Sequence, residues 1–263
     1  MFKTAIVSGS LSGGKPISTI SLPEDLELIE VEQLEPGVEE NPFGVPSDKL
    51  LKVVVRRNSL QVNNVLCLNR HGYGHILPPQ QIPYRANVFA LKAVGVETVI
   101  ALYTVGSLEE DLRPGDIVIL KDYLNHTEGR ISSFYDEVAL HISMADPFCP
   151  HKRSILRMLA QQRVDEHNAR VKADPTSEVR VHTKGVMACI SGPAYSTKSH
   201  SGVYSELGAN LVGMTVFPEA LLNREADMAC VGLAVVSDYD CLPGRRAVSA
   251  DMVIESAALS RPL

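Results

Sequence analysis

The chain has no excess of positive charge: 25 Lys and Arg stand against 31 Asp and Glu, a net charge of −6. It therefore lacks the broad basic face that nucleic acid or an anionic membrane would favour, and neither is expected as a partner. An anionic ligand would have to be held by a few local donors. Cysteine is sparse and unpaired in pattern. The five are Cys67, Cys149, Cys189, Cys230 and Cys241, an odd number with no C-x-x-C pair, which reads as reduced, mostly buried thiols of a cytoplasmic protein. No apolar run approaches a membrane span, and Ala5–Val7 is too short for the apolar part of a signal peptide. Internal repeats and domain linkers are also missing.

What is present suits a globular chain. Hydrophobic residues make up 45% and charged residues 21% of 263 positions, enough for one large domain, taken here as residues 1–263. Strand patterns fall at Ala5–Val7, Lys52–Arg56, Asn64–Leu68, Thr98–Leu102, Asp116–Leu120, Val179–Ile190 and Val231–Ser237. Helical patterns fall at Gln81–Val94, with Gly95 as its C-cap, and at Ser154–Ala169, Tyr195–Leu207, Glu219–Ala226 and Asp251–Ala258. Residues 23–48, rich in Pro, Glu and Gly, read as irregular, and Asn63-Asn64 as a turn. Alternating strands and helices predict an α/β fold with a largely parallel or mixed sheet.

Four short segments suggest chemistry, and each has a plain structural alternative. Ser8-Gly9-Ser10-Leu11-Ser12-Gly13-Gly14 follows a buried strand, where small residues let backbone N–H groups approach an anion; a tight turn needs the same residues. Arg70, in Asn69-Arg70-His71-Gly72, could grip phosphate through a forked pair of hydrogen bonds, or make an ordinary ion pair. His71 and His75 have metal-like spacing only on a helix, which Gly72, Gly74 and Pro78 oppose, so no metal is expected. Gly106-Ser107 ends a strand, where open α/β sheets bind ligands; Ser107 with Glu110 also fits a helix capping box. Asp238 and Asp240 end another strand and could hold a polar base, or lie in a solvated turn. Ser196 with His200 lacks the context of a nucleophile and reads as a phosphate or sugar contact, or a helix cap.

Taken together, these segments resemble the methylthioadenosine phosphorylases of the trimeric purine-nucleoside phosphorylase branch. The similarity runs from about residue 42 to 255. It includes Pro42-Phe43-Gly44-Val45-Pro46-Ser47-Asp48, Arg70-His71-Gly72, Tyr84-Arg85-Ala86-Asn87, Ser133-Phe134-Tyr135-Asp136, Ala145-Asp146-Pro147-Phe148-Cys149, Gly192-Pro193, Met214-Thr215, Pro218-Glu219 and Asp238-Tyr239-Asp240-Cys241. The resemblance implies a mixed, twisted sheet surrounded by helices, assembled as a homotrimer. It implies that Ser10, Arg70, His71, Thr104 and Thr215 bind phosphate, and that Tyr195 stacks on the purine. Met214, His75 and His141 would meet the ribose and 5′ group, His141 from a neighbouring subunit. Asp238 would meet N7 as the catalytic acid, and Asp240 the 6-amino group.

The implied reaction is phosphorolysis of a 5′-substituted adenosine, with inorganic phosphate as co-substrate and no cofactor. Holding phosphate against C1′ would supply roughly 7–11 kcal/mol of positioning in the best case. The departing purine needs a proton at N7, which Asp238 supplies if burial keeps it protonated. The Asp pair favours 6-amino over 6-oxo purines. A 6-oxopurine phosphorylase, a nucleosidase and a catalytically weak purine binder are the alternatives. The sequence departs from the family at Leu11, where the phosphate loop has glycine, at Ala194 and His200, where Arg and Glu are usual, and in a short stretch after Asp240. The last of these suggests a more open 5′ pocket.

Overall fold

The computed structural model describes residues 3–9, 26–34, 41–57, 61–171, 177–242, 244–245, 248–249 and 252–253. Its centre is β1 (Thr4–Ser8), whose alternate residues Ala5 and Val7 are buried. On one side β1 pairs in parallel with β4 (Gln61–Asn69), which continues antiparallel into β3 (Leu50–Arg57) and the edge strand β2 (Leu26–Leu34). On the other side it pairs in parallel with β5 (Thr98–Ser107), whose side chains alternate regularly between buried and half-buried.

β5 is the strand on which the architecture turns. Its first half, Thr98–Ala101, pairs with β1, while Gly106 and Ser107 at its end pair with β8 (Leu211–Gly213). Its opposite edge pairs in parallel with β9 (Ala229–Asp238). From β8 the sheet continues through β7 (Val181–Ile190) and β6 (Ile117–His126) back to β9. Strands β5, β8, β7, β6 and β9 thus close a ring, with β4, β3 and β2 extending as an open flank. Parallel and antiparallel neighbours are mixed, as expected.

Among the described residues, four α-helices cover the sheet: α1 (Tyr84–Ala93), α2 (Pro150–Arg170), α3 (Lys198–Glu206) and α4 (Val216–Glu225). Helix α1 ends where the sequence suggested: Gly95 has a φ of 86° and donates its N–H to the Lys92 carbonyl at 2.9 Å. Helix α2 buries only Ala160 and Val164, one turn apart, against Ile117, Ile119 and Val179. Its other faces are polar apart from Ile155, Met158 and Leu159, which are exposed apolar side chains.

Several expectations are corrected. Residues 26–34, read as irregular, form β2. That strand is mostly exposed, so it lacks the burial alternation of a core strand; it is held by its ladder to β3 and by flanking pairs such as Glu32 with Lys52 at 2.7 Å. Asn63 and Asn64 lie within β4 rather than in a turn. Ser107 caps no helix: it ends β5 and bonds the backbone of Glu109. The helix expected from Tyr195 starts at Lys198, because Thr197 provides the cap by accepting the His200 N–H at 3.2 Å. The short strand β8 carried too little pattern to be seen. Most of the helix expected at 251–258 lies outside the described residues.

Candidate active site

The carboxyl ends of β1, β4, β5, β8 and β9 converge on a cleft of about 360 Å³, the position where α/β sheets place ligands. Gly9, Arg70, His71, Thr104, Gly106, Met214, Thr215, Asp238 and Asp240 line it, together with His75, Tyr195 and Ser196. All of the residues to which the resemblance assigned a ligand contact, except Ser10 and His141, therefore meet in one place. Ser10 and Leu11 lie outside the described residues. His141 is exposed on the stretch between β6 and α2 and does not line this cleft.

Arg70 is 1% exposed. Its forked face, Nε and Nη2, donates to the two carboxylate oxygens of Glu219 at 2.9 and 2.8 Å. Nη2 also reaches the Val7 carbonyl at 3.1 Å, and Nη1 the Leu102 carbonyl at 2.7 Å. Tyr103 donates its hydroxyl hydrogen to the same Glu219 at 2.9 Å. The forked grip on phosphate expected of Arg70 is thus corrected: the fork is occupied by Glu219. Among the described residues these four bonds leave one of the five guanidinium hydrogens, on Nη1, unused. It lies beside Gly9, where a Cβ would stand 2.8 Å from Nη1, so a residue without a side chain keeps the approach open. Glu219 is the residue that sequence reasoning missed as a site member, although Pro218-Glu219 was in view. Its signal was an acid beside a proline in an otherwise apolar helix start.

His71 is 7% exposed, and its Nδ1 lies 2.7 Å from the Leu77 carbonyl oxygen. A carbonyl only accepts, so Nδ1 carries the hydrogen. Burial first, then the charges of His75 and Arg70, lower its pKa to about 3, against the pull of the Leu77 bond. The neutral ring then presents the Nε2 lone pair, an acceptor, to the cleft. The rings of His71 and His75 stack with centroids 4.0 Å apart. Nearby, Thr104 Oγ1 is buried and finds no partner among the described residues, and Thr215 is 7% exposed. A donor-lined corner thus forms between β1, β4, β5 and β8.

The carboxyl pair occupies the other end. Asp238 and Asp240 are each 4% exposed, which rules out the solvated turn. Asp238 Oδ1 accepts the Asp240 N–H at 2.7 Å, and its Oδ2 lies 2.6 Å from Ser237 Oγ. Asp240 adopts a φ of 43° and accepts the Ser201 hydroxyl. Burial raises the Asp240 pKa; the Ser201 and Cys241 bonds oppose this, and the Asp238 charge adds to it. Gly106 permits the pair to lie this close to β5: a Cβ there would stand 2.9 Å from Asp238 Oδ1.

Arg130 fixes the remaining wall. It donates to the carbonyls of Met214 at 2.7 Å, Phe217 at 2.5 Å and Ser191 at 2.8 Å. One guanidinium therefore ties the loop carrying Met214 and Thr215 to the loop leading to Pro193 and Tyr195.

A buried donor corner facing a buried carboxyl pair across one cleft defines a site for a ligand with an anion at one end and a polar ring at the other. The model of the Phosphorylase superfamily matches residues 38–261, and the chain belongs to that superfamily. The S-methyl-5'-thioadenosine phosphorylase of Thermofilum pendens is 39% identical over 200 residues, covering 76% of this chain and 69% of that protein. A probable S-methyl-5'-thioinosine phosphorylase of Methanocaldococcus jannaschii is 39% identical over 194 residues, covering 73% of this chain and 71% of its own. Among solved structures, the methylthioadenosine phosphorylase of Schistosoma mansoni in complex with adenine superposes with a TM-score of 0.79 at 32% identity, covering 99% of this chain and 87% of that one.

Proposed function

We propose that this chain is a nucleoside phosphorylase that cleaves a 5′-substituted 5′-deoxyadenosine with inorganic phosphate, giving adenine and a 5-substituted ribose 1-phosphate. The observation that carries this reading is the meeting, in one cleft, of a polar corner built on the donors of Arg70, Thr104 and Thr215 and the acceptor Nε2 of His71 with the buried Asp238/Asp240 pair. The relatives named for methylthioadenosine support the nucleoside class.

In this reading phosphate occupies the donor corner. The spare Nη1 hydrogen of Arg70 and the Thr104 hydroxyl donate to it, and His71 Nε2 accepts the hydrogen of monohydrogen phosphate. Tyr195 covers the base, and Met214 and His75 border the ribose. The C1′–N9 bond breaks toward an oxocarbenium-like state, which the phosphate oxygens stabilise and then capture. The electron pair passes into the imidazole ring, and Asp238 delivers a proton to N7. Asp240, as an acceptor, meets the 6-amino group.

The enzyme acts as a homotrimer in the cytoplasm, needs no cofactor, and His141 reaches a neighbour's 5′ pocket. Exposed apolar side chains at Ile131, Tyr135, Val138 and Leu140 support burial of the stretch that carries His141. The five free thiols suit a reducing compartment. A panel of 5′-substituted adenosines and inosines, with and without phosphate, tests the reading. Phosphate-dependent release of adenine is expected. Preference for the inosines would move the assignment to the thioinosine-type relative, and release of base without phosphate would make the protein a nucleosidase.

A further inference from the structure

Ser237 lies where β9 slips against β5. Val105 faces Val236, but Gly106 faces Asp238, so Ser237 is the extra residue of a bulge. Its hydroxyl oxygen lies 3.1 Å from the Val105 carbonyl and 2.6 Å from Asp238 Oδ2, and Ser237 is 6% exposed. A serine has one hydroxyl hydrogen, while a carbonyl and a carboxylate oxygen both only accept. One placement of hydrogens satisfies both contacts: Ser237 donates to Val105, and Asp238 carries a proton on Oδ2 that it donates to Ser237. Oδ1 is engaged by the Asp240 N–H, which leaves Oδ2 as the oxygen that exchanges a proton.

We infer that Ser237 is a positioning residue for the proton donor, holding the proton on Asp238 Oδ2 in the resting enzyme and swinging its own hydrogen from Val105 to Oδ2 as that proton leaves for the purine. The inference rests on the phosphorylase reading and assigns it a further part. As the C1′–N9 bond breaks and a phosphate oxygen bonds to C1′, the N9 electron pair enters the ring and N7 takes the Oδ2 proton. The carboxylate left behind then accepts the Ser237 hydrogen in a charge-assisted bond that is stronger than the neutral one it replaces. That bond tightens only as charge develops, so it lowers the barrier rather than improving ground-state binding. Solvent returns a proton to Asp238 once the base has left.

The test compares Ser237→Ala with wild type on 5′-methylthioadenosine and on its N7-methylated form, whose ring is already cationic and needs no proton. Loss of a hydrogen bond to a charged group predicts a kcat about 10- to 100-fold lower on the first substrate, and a change within about twofold on the second. Equal losses on both, or no loss on either, would overturn the inference. A second measurement needs no turnover: the infrared difference between wild type and Asp238→Asn should contain a protonated carboxyl stretch at neutral pH. Its absence would equally refute the inference. Since that spectrum does not depend on catalysis, failure of the phosphorylase reading and failure of this one are distinguishable.

Discussion

Exchanging Glu219 for glutamine removes one charge and keeps the shape, which makes it a sharp probe of the buried pair. Arg70 and Glu219 have side chains 1% and 4% exposed and meet at 2.8 Å. In the Glu219→Gln variant the guanidinium loses its counter-ion, and one of its two forked donors faces an amide NH2 in place of an acceptor. Breaking a buried pair in this way costs about 3–5 kcal/mol, because an uncompensated charge remains inside. That is a large fraction of a total stability of about 5–15 kcal/mol. At roughly 2–4 °C per kcal/mol for a chain of this size, the melting temperature should fall by about 6–20 °C. The functional consequence is separate. Arg70 is aimed at Gly9 by four fixed bonds, and losing that aim should raise the KM for phosphate by about 10- to 100-fold, the scale of one hydrogen bond to a charged group. Thermal denaturation and phosphate saturation at fixed nucleoside measure the two effects. An unchanged melting temperature together with an unchanged phosphate KM would refute the reasoning.

The remaining predictions concern the two ends of the cleft. Asp238→Asn should lower turnover on adenosines by roughly 10²–10⁴-fold, the usual scale for a positioned acid; full activity would remove Asp238 from the mechanism. His71 is held neutral, its pKa lowered from 6.5 to about 3 chiefly by burial. A folded-state pKa below the unfolded value contributes stability that is present above pH 6.5 and is lost as pH falls toward 3. Wild type should therefore lose stability through that window relative to His71→Gln. Denaturant titrations of the two proteins that stay parallel between pH 6.5 and 3 would contradict a neutral buried His71.

Much of this organisation was legible as local pattern. The strand expected at Thr98–Leu102, which is the first half of β5, and the Gly95 terminus of α1 follow from apolar patterning and backbone freedom, and both appear where expected. The convergence of Arg70, Thr104, Thr215 and Asp238 was legible only through the resemblance, since the residues lie far apart in the chain. What stayed hidden depends on contacts. β2 is a strand because of its partner β3, not because of its own burial. Glu219 became a site residue only when α4 placed it against Arg70, 149 positions away. The single hydrogen shared around Ser237 could not be inferred until the β5–β9 slip was visible.

The central claim is that phosphate itself is the attacking group. Phosphorus NMR of a reaction containing 5′-methylthioadenosine and inorganic phosphate tests it directly. A sugar 1-phosphate resonance should grow in step with free adenine. Adenine release with the phosphate signal unchanged, or no release at all, would contradict the account.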